Sequence, residues 1–196
     1  TIADYSGFNN TLTGANGVQI LTNSSCKSDF SYCASFDGSN DRFRADTNIS
    51  ADLGDVPVTI VGWINARSIT ANHPIVMKGA QSPNKGYQLY LGSENAIHAV
   101  LQDGTNDINL ASTTSIPLNT WVHVAFTEDG STLRIYINGS QYGSTSTSSV
   151  GPLSNIALLT IGANPQDTTF FNGLIDNVKI YSRALSPDEI KWEYGQ

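Results

Sequence analysis

Short runs of alternating apolar and polar residues, separated by turn residues, fill the chain from about residue 35 onward. Residues 58–66 follow Pro57 and are apolar on parts of both faces, which is typical of a central strand. Asn138-Gly139 is a strong signal for a tight turn between two strands. Runs at this spacing predict one all-β sandwich of about 12–14 strands. The clearest runs are 58–66, 75–78, 87–91, 96–101, 121–126, 133–137, 157–161 and 174–181.

One helix start interrupts this pattern near the C-terminus. Ser186 is a good N-cap, Pro187 suits the first helical position, and Glu189 stands where a capping box places its acid. The sequence therefore predicts a short C-terminal helical turn that packs on the sandwich. No linker or internal repeat divides the chain, so we expect a single domain over residues 1–196.

The composition indicates a chain of strands and turns in an extracellular setting. Ser, Thr and Asn make up 58 of the 196 residues, whereas Glu occurs only four times. The net charge is −7, with ten basic residues in total, which argues against nucleic acid and against an anionic membrane surface as partner. No apolar run is long enough to cross a membrane as a helix, so we expect no membrane insertion.

Cys26 and Cys33 are the only cysteines, seven positions apart. Two thiolates alone do not make a zinc site, and the three histidines lie far away in sequence. A disulfide is the favoured interpretation and implies an oxidising compartment, while two reduced thiols are the alternative. The chain begins with Thr, so we expect a mature or excised fragment, part of a larger surface protein. Four weak glycosylation sequons begin at Asn9, Asn23, Asn48 and Asn138.

Several segments, taken together and in order, resemble bacterial and archaeal laminin-G-like domains. They are 4–7 (Asp-Tyr-Ser-Gly), 35–41 (Ser-Phe-Asp-Gly-Ser-Asn-Asp), 61–64, 120–125, 129–139 and 171–186. The likeness covers nearly the whole chain and points to the concanavalin A-like lectin/glucanase superfamily. It implies a jelly roll of two antiparallel sheets, one of them concave. That superfamily includes carbohydrate-binding modules, protein-binding domains and hydrolases, so the fold alone does not select a function.

Hydrolysis requires two paired carboxylates facing the cleft, which hydrolases of this superfamily place on alternate positions of one strand. The four glutamates of this chain, Glu94, Glu128, Glu189 and Glu193, fall in predicted turns or in the helix. No predicted strand carries two acids at alternate positions, and no serine-nucleophile motif is present. We therefore expect a protein that does not catalyse a reaction.

Two segments are candidates for calcium, which prefers carboxylate, amide and carbonyl oxygens. In the family fold the early and final strands are neighbours, so Asp37 and Asp41 could share a structural calcium ion with Asp176. An Asx-turn that needs no metal explains Asp37 and Asp41 equally well. Residues 162–167 resemble the pentraxin segment that binds a ligand-bridging calcium, but Asn164-Pro165 replaces the expected glutamate. A plain polar loop is the favoured interpretation there.

Sugar recognition needs an aromatic face together with amide or carboxylate hydrogen-bonding groups. Exposed candidates of this kind are expected in loops, and two consecutive phenylalanines would place one ring outward on a strand. The predicted ligand-binding residues are Asn84, Asn106, Asp107, Gln166, Asp167, Phe170 and Phe171. These features favour an extracellular carbohydrate-binding module. The alternative is a structural or adhesive domain of a cell-surface protein or filament that binds a protein partner.

Overall fold

Two antiparallel seven-stranded sheets packed face to face form the protein in the computed structural model. The structure describes residues 2, 10–22, 25–27, 31–45, 57–81, 84–147, 150–153 and 157–196. The first sheet, sheet A, has the strand order β1-β4-β13-β6-β7-β8-β9, and sheet B has the order β12-β11-β10-β5-β14-β3-β2. Fourteen strands lie in these described residues, and the jelly-roll sandwich predicted from the sequence is confirmed.

The strands of sheet A are β1 (Leu12–Ala15), β4 (Arg42–Ala45), β6 (His73–Gln81), β7 (Asn84–Leu91), β8 (Ala96–Asp103), β9 (Asp107–Ser115) and β13 (Leu159–Ile161). Those of sheet B are β2 (Gln19–Thr22), β3 (Tyr32–Asp37), β5 (Val58–Ala66), β10 (Val122–Glu128), β11 (Thr132–Ile137), β12 (Ser140–Ser146) and β14 (Asn172–Tyr181). The sequence pattern did not predict β9 and β12, whose polar faces outweigh their apolar ones. It also left residues 1–34 irregular, although β1 and β2 lie there.

The hydrophobic core fills the space between the two inner faces. Phe36 of β3 lies at its centre, with edge-to-face contacts to Phe43 at 6.0 Å and Phe171 at 6.2 Å between ring centroids. Phe36 and Phe171 are fully buried. Phe171 was predicted to bind ligand at the surface, and this prediction is wrong because its ring packs inside the sandwich.

Helix α1 (Pro187–Tyr194) covers part of the outer face of sheet B. Ile190 is fully buried and packs on Val61, Ala125 and Tyr136 of that face. The predicted capping box is present: the Glu189 amide donates to Ser186 Oγ at 3.2 Å, and the Ser186 amide donates to Glu189 Oε2 at 2.8 Å. The predicted C-terminal helix is therefore confirmed. Within the described residues, no helix is long and apolar enough to cross a membrane.

A disulfide joins Cys26 to Cys33 of β3, and the two Cα atoms are 5.5 Å apart. Both cysteines are buried and pack with Leu174 of β14. The disulfide predicted from the sequence is confirmed, and it ties the segment that follows β2 to the edge of sheet B.

Asp176 lies beside Trp63 on the outer face of sheet B, where β14 is irregular. Its Oδ1 accepts a hydrogen bond from the Asn177 amide at 2.7 Å, whereas its Oδ2 is buried and has no hydrogen-bond partner among the described residues. Burial raises the pKa of the Asp176 carboxyl to about 6. The ionised form is therefore held in an unfavourable place at neutral pH.

Replacing both cysteines by alanine should lower the free energy of unfolding by about 2–3 kcal/mol, because the short cross-link restricts the unfolded chain. Denaturant unfolding of the double variant and of the reduced parent protein measures this, and both should show a similar loss. Two free thiols titrating in native, never-reduced protein would contradict the disulfide.

Asp176→Asn should raise the free energy of unfolding at pH 7.5 by about 1 kcal/mol, after allowance for partial solvent screening. A carboxyl whose pKa is raised in the folded state binds its proton more tightly there, so the parent protein gains stability as the pH falls through 6. The advantage of the variant should therefore shrink as the pH falls below 6 and disappear only near pH 4, the ordinary pKa of an aspartate. Asp107→Asn, at an exposed position, is the matched control. A loss of stability in Asp176→Asn at pH 7.5 would instead indicate that the carboxylate holds a cation.

Candidate functional site

A cleft of about 450 Å³ lies on the outer face of sheet A. Its floor is made by side chains of β6, β7, β8 and β9, and one wall is the loop of residues 164–169 between β13 and β14. We call this feature the cleft. The residues that line it are Asn72, Met77, Gly79, Gln88, Tyr90, Val100, Gln102, Asn109, Asn164, Pro165, Gln166 and Thr169.

The strand register arranges the floor in three rows that cross the sheet. The middle row pairs Met77 with Gln88, Gln88 with Val100, and Val100 with Asn109. Its neighbour on one side contains Gly79, Gly86, Gln102 and Asp107, and the row on the other side contains Pro74, Tyr90, His98 and Ala111. Paired residues of adjacent strands point to the same face, so each row presents its side chains together.

Apolar and amide groups alternate on this floor. Met77, Tyr90 and Val100 form a small apolar cluster, in which each residue is less than a tenth exposed. Beside it, Gln88 Nε2 donates a hydrogen bond to Gln102 Oε1 at 3.0 Å. The floor therefore offers a nonpolar patch bordered by amides whose remaining donors and acceptors can take up a ligand.

Two glycines that lie opposite each other leave one floor row without side chains on β6 and β7. Gly79 of β6 lies opposite Gly86 of β7. Gly86 has a φ of +136°, and a Cβ atom there would lie 1.8 Å from the carbonyl oxygen of Lys78. A side chain at Gly86 is therefore excluded by the backbone itself.

The wall at 164–169 is fixed by its own hydrogen bonds and by ion pairs to β4. Asn164 Oδ1 accepts from the amides of Thr168 and Thr169 at 2.8 and 3.1 Å. Asp167 accepts from Arg44 at 2.7 Å and lies 3.3 Å from Arg42. The carboxylate of Asp167 is thus engaged in holding the loop, and a second carboxylate is absent from the loop.

A chain of hydrogen bonds runs along one side of the cleft floor. Asn109 Nδ2 donates to the Tyr90 hydroxyl at 3.1 Å, and Asn109 Oδ1 lies 2.9 Å from His98 Nδ1. The other ring nitrogen of His98 contacts the Glu94 carboxylate. The His98 ring is stacked on Tyr90, with centroids 4.6 Å apart and planes 13° from parallel. The hydrogen bond from His98 is the largest cause of a lowered pKa for the Glu94 carboxyl.

The predicted ligand-binding residues divide between the cleft and other places. Gln166 lines the cleft. Asp107 belongs to β9 rather than to a loop, on the floor face two residues from Asn109. Asn106 lies in the β8–β9 turn, where its amide donates to Asp103 Oδ2 at 3.0 Å, so it stabilises the turn. Asn84 begins β7 opposite Gln81.

Two further predicted ligand-binding residues, Asp167 and Phe170, lie near the wall but do not line the cleft. Asp167 is held by two arginines and positions the loop, and its role in contacting ligand stays a prediction. Phe170 is half-buried and forms an isolated bridge with Ala163, next to the fully buried Phe171. Neither phenylalanine lines the cleft.

The structure does not bring the three predicted metal ligands together. Asp37 of β3 lies opposite Asn172 of β14, so Asp176 is four residues, about 13 Å, farther along that strand. The Asp37 and Asp41 segment is an Asx-turn: Asp37 Oδ1 accepts from the Ser39 amide at 2.7 Å, and Asp41 Oδ2 accepts from the Asp37 amide at 3.0 Å. Among the described residues, no group of three His, Cys, Asp or Glu side chains could hold a metal ion. Calcium binding stays a prediction.

Sequence reasoning missed most of the cleft floor. The sequence analysis did not single out Met77, Gln88, Val100 and Gln102. These residues lie on three different strands and come together only through the pairing register of the sheet. Alternation within β9, where Ile108 and Leu110 face inward, was the available signal for Asn109 on the floor.

The lining residues carry no formal charge: none of the twelve described residues around the cleft is Asp, Glu, Lys or Arg. Of the charged groups nearby, Asp167 pairs with two arginines and Glu94 contacts His98. Asp107 is an exposed acid at the end of one floor row and does not line the cleft. The cleft can therefore donate and accept neutral hydrogen bonds around an apolar patch.

Solved structures of similar fold are binding domains. Domain 4 of the extracellular arabinanase AbnA from Geobacillus stearothermophilus, in complex with arabinotriose, matches with a TM-score of 0.79 and 20% identity, over 99% of this chain and 92% of that one. The binding domain of Paraclostridial Mosquitocidal Protein 1 matches with a TM-score of 0.78 and 21% identity, over 99% of this chain and 49% of that one. The receptor-binding domain of botulinum neurotoxin C/D mosaic serotype gives 0.76 and 18%, over 100% and 48%.

This chain therefore spans nearly all of the arabinanase domain but about half of each toxin domain. No curated protein sequence matches it significantly. A laminin-G-type family model, described as the concanavalin A-like lectin/glucanases superfamily, matches residues 37–191. That span is most of the chain, and its limits enclose β4 to β14 and the start of α1. By sequence and by fold, the chain belongs to this laminin-G-like family of the concanavalin A-like superfamily.

Proposed function

We propose that the protein is a non-catalytic carbohydrate-binding module that takes a neutral oligosaccharide in the cleft. The observation that carries this proposal is the floor itself, where amides of Gln88, Gln102 and Asn109 surround the apolar cluster of Met77, Tyr90 and Val100. A sugar ring has an apolar face bordered by hydroxyl groups, and this surface complements both.

The absence of formal charge among the described lining residues favours a neutral glycan over an acidic one. A carboxylate or sulfate group on a sugar would find no cation in the lining, since Arg42 and Arg44 are both occupied by Asp167. The same absence of acids supports binding without hydrolysis, because glycoside hydrolysis uses two carboxyl groups beside the scissile bond.

The arabinanase domain of similar fold was solved in complex with arabinotriose, a neutral sugar, which supports the ligand class. The toxin domains of similar fold are binding or receptor-binding domains. A protein partner is therefore the alternative that the experiments below must distinguish from a glycan. An extracellular or cell-surface location is supported by the disulfide, since such bonds persist in oxidising compartments. Membership of a larger surface protein stays a prediction.

The affinity for a short glycan should be weak, because a shallow polar cleft must exchange ordered water for each hydrogen bond it makes. We expect dissociation constants of roughly micromolar to millimolar, or about 4–8 kcal/mol. A glycan array with and without calcium should select neutral oligosaccharides, and calorimetry should then measure the affinity. If Asp37 and Asp41 hold the structural calcium ion predicted above, chelation should lower the melting temperature. A ligand-bridging calcium at residues 162–167 would instead make chelation weaken the binding.

Gln88→Ala should weaken binding by about five- to tenfold, the value of one neutral hydrogen bond, with the melting temperature nearly unchanged. Gln141→Ala is the matched control, because Gln141 is an exposed glutamine on sheet B, away from the cleft. Equal weakening in both variants would remove the cleft as the binding site. A blank array, with calcium present, would favour the adhesive or structural role, and turnover of a polysaccharide would overturn the non-catalytic assignment.

A further inference from the structure

Four side chains form a chain of hydrogen bonds that begins in the cleft and includes a histidine that does not line it. The order is Tyr90, Asn109, His98 and Glu94, with contacts of 3.1 Å from Asn109 to the Tyr90 hydroxyl and 2.9 Å from Asn109 to His98. Tyr90 and Asn109 line the cleft, while His98 lies under Tyr90 with its side chain 13% exposed. Each hydrogen bond in the chain has a direction, and the directions depend on one another.

Both ring nitrogens of His98 face acceptors in this structure. Nε2 contacts the Glu94 carboxylate, and Nδ1 faces the amide oxygen of Asn109. An ionised carboxylate and an amide oxygen can only accept, so both ring nitrogens must carry protons, which is the imidazolium form. The amide nitrogen of Asn109 then donates to the Tyr90 hydroxyl, and the single proton of that hydroxyl is available for a ligand.

Loss of one proton from His98 reverses the chain. The Nε2 proton stays on the hydrogen bond to Glu94, so Nδ1 becomes an acceptor that repels the Asn109 oxygen. A half-turn of the Asn109 amide restores the contact, because its nitrogen then donates to Nδ1 and its oxygen faces Tyr90. The Tyr90 hydroxyl must now donate to Asn109, and toward the cleft it can only accept.

The groups on either side of His98 keep their charge states through this change. Burial is the largest cause of a raised pKa for the Tyr90 hydroxyl, and the hydrogen bond from His98 lowers the pKa of the Glu94 carboxyl. Among the described residues, the groups that face the ring are Glu94 from the β7–β8 turn, Tyr90 from β7 and Asn109 from β9. Ala111, directly across on β9, is apolar.

We infer that His98 is a positioning residue whose protonation sets whether Tyr90 donates to or only accepts from the bound glycan. Ring and glycosidic oxygens of a sugar can only accept, so the imidazolium form should bind more tightly. This inference rests on the proposed function, and it predicts a higher affinity while the His98 ring carries two protons than after the ring has lost one.

Nuclear magnetic resonance of the ligand-free protein tests the relay without any sugar. Titration of the His98 ring should be accompanied, at the same midpoint, by a shift of the Asn109 side-chain amide signals. In Tyr90→Phe the ring still stacks on His98, but the hydroxyl that ends the chain is missing, so the shift of Asn109 should change. Asn109 signals that stay constant while His98 titrates would overturn the inference, whether or not the protein binds glycans.

Calorimetry with arabinotriose, and with any neutral oligosaccharide that the array selects, tests the consequence. The parent protein should bind about five- to tenfold more tightly at pH 5 than at pH 8, the value of one neutral hydrogen bond. His98→Phe preserves a ring against Tyr90 and should remove this dependence, as should Tyr90→Phe. His73, His123 and Asp176 are unchanged in both variants, so a dependence that survives there belongs to another group and overturns the inference. Absence of binding at every pH would instead overturn the proposed function.

Discussion

The two-residue period of the β-strand is the constraint on which this structure depends. Each strand of the sandwich has one face in the core, so every second side chain is committed to packing and the others form an outer face. In β5, Ile60 and Ile64 belong to the main core, whereas Val61 and Trp63 face outward. The two sheets therefore have two outer faces. Helix α1 packs on one of them, and the cleft lies on the other.

The outer face of sheet B is covered by the chain itself. Ile190 of α1 fills the space over Val61, Ala125 and Tyr136, and Tyr194 stacks on Trp63 with ring centroids 5.6 Å apart. The outer face of sheet A has no helix over it in the described part of the chain, and a loop held by ion pairs borders it instead. The cleft thus lies on the outer face that the C-terminal helix leaves open.

The sequence predicted the features that depend on neighbours along the chain. The period of the strands, the tight turns, the capping box of α1 and the short disulfide loop are all local, and the structure contains them. The cleft depends instead on register across four strands, which brings Met77, Gln88, Val100 and Asn109 into one row. No local pattern specifies that alignment. Likewise, two consecutive phenylalanines in a strand indicate that one ring faces inward, but they do not indicate whether the other ring reaches a ligand site.

The acidic balance of the chain shows why composition did not identify the site. Acidic side chains were natural candidates for ligand or metal binding, yet those that the structure describes in turns mostly satisfy backbone amides. Asp103 accepts from the amides of Thr105 and Asn106 at 2.7 Å each, and such bonds hold the pKa of its carboxyl well below its usual range. Asp129 does the same for the turn before β11 and also binds Arg134 at 2.6 Å.

Carboxylates used in this way are structural, so a net charge of −7 coexists with a cleft whose described lining is neutral. Under the proposed function, the ligand would be recognised by amides and one tyrosine, whose hydrogen bonds have a donor and an acceptor end. The oxygen and the nitrogen of a side-chain amide are nearly the same size, so either can face a neighbour. The hydrogen-bond partners determine which of the two does. In this cleft the partner of Asn109 is His98. By the inference above, the protonation of His98 sets which end of the Asn109 amide faces Tyr90.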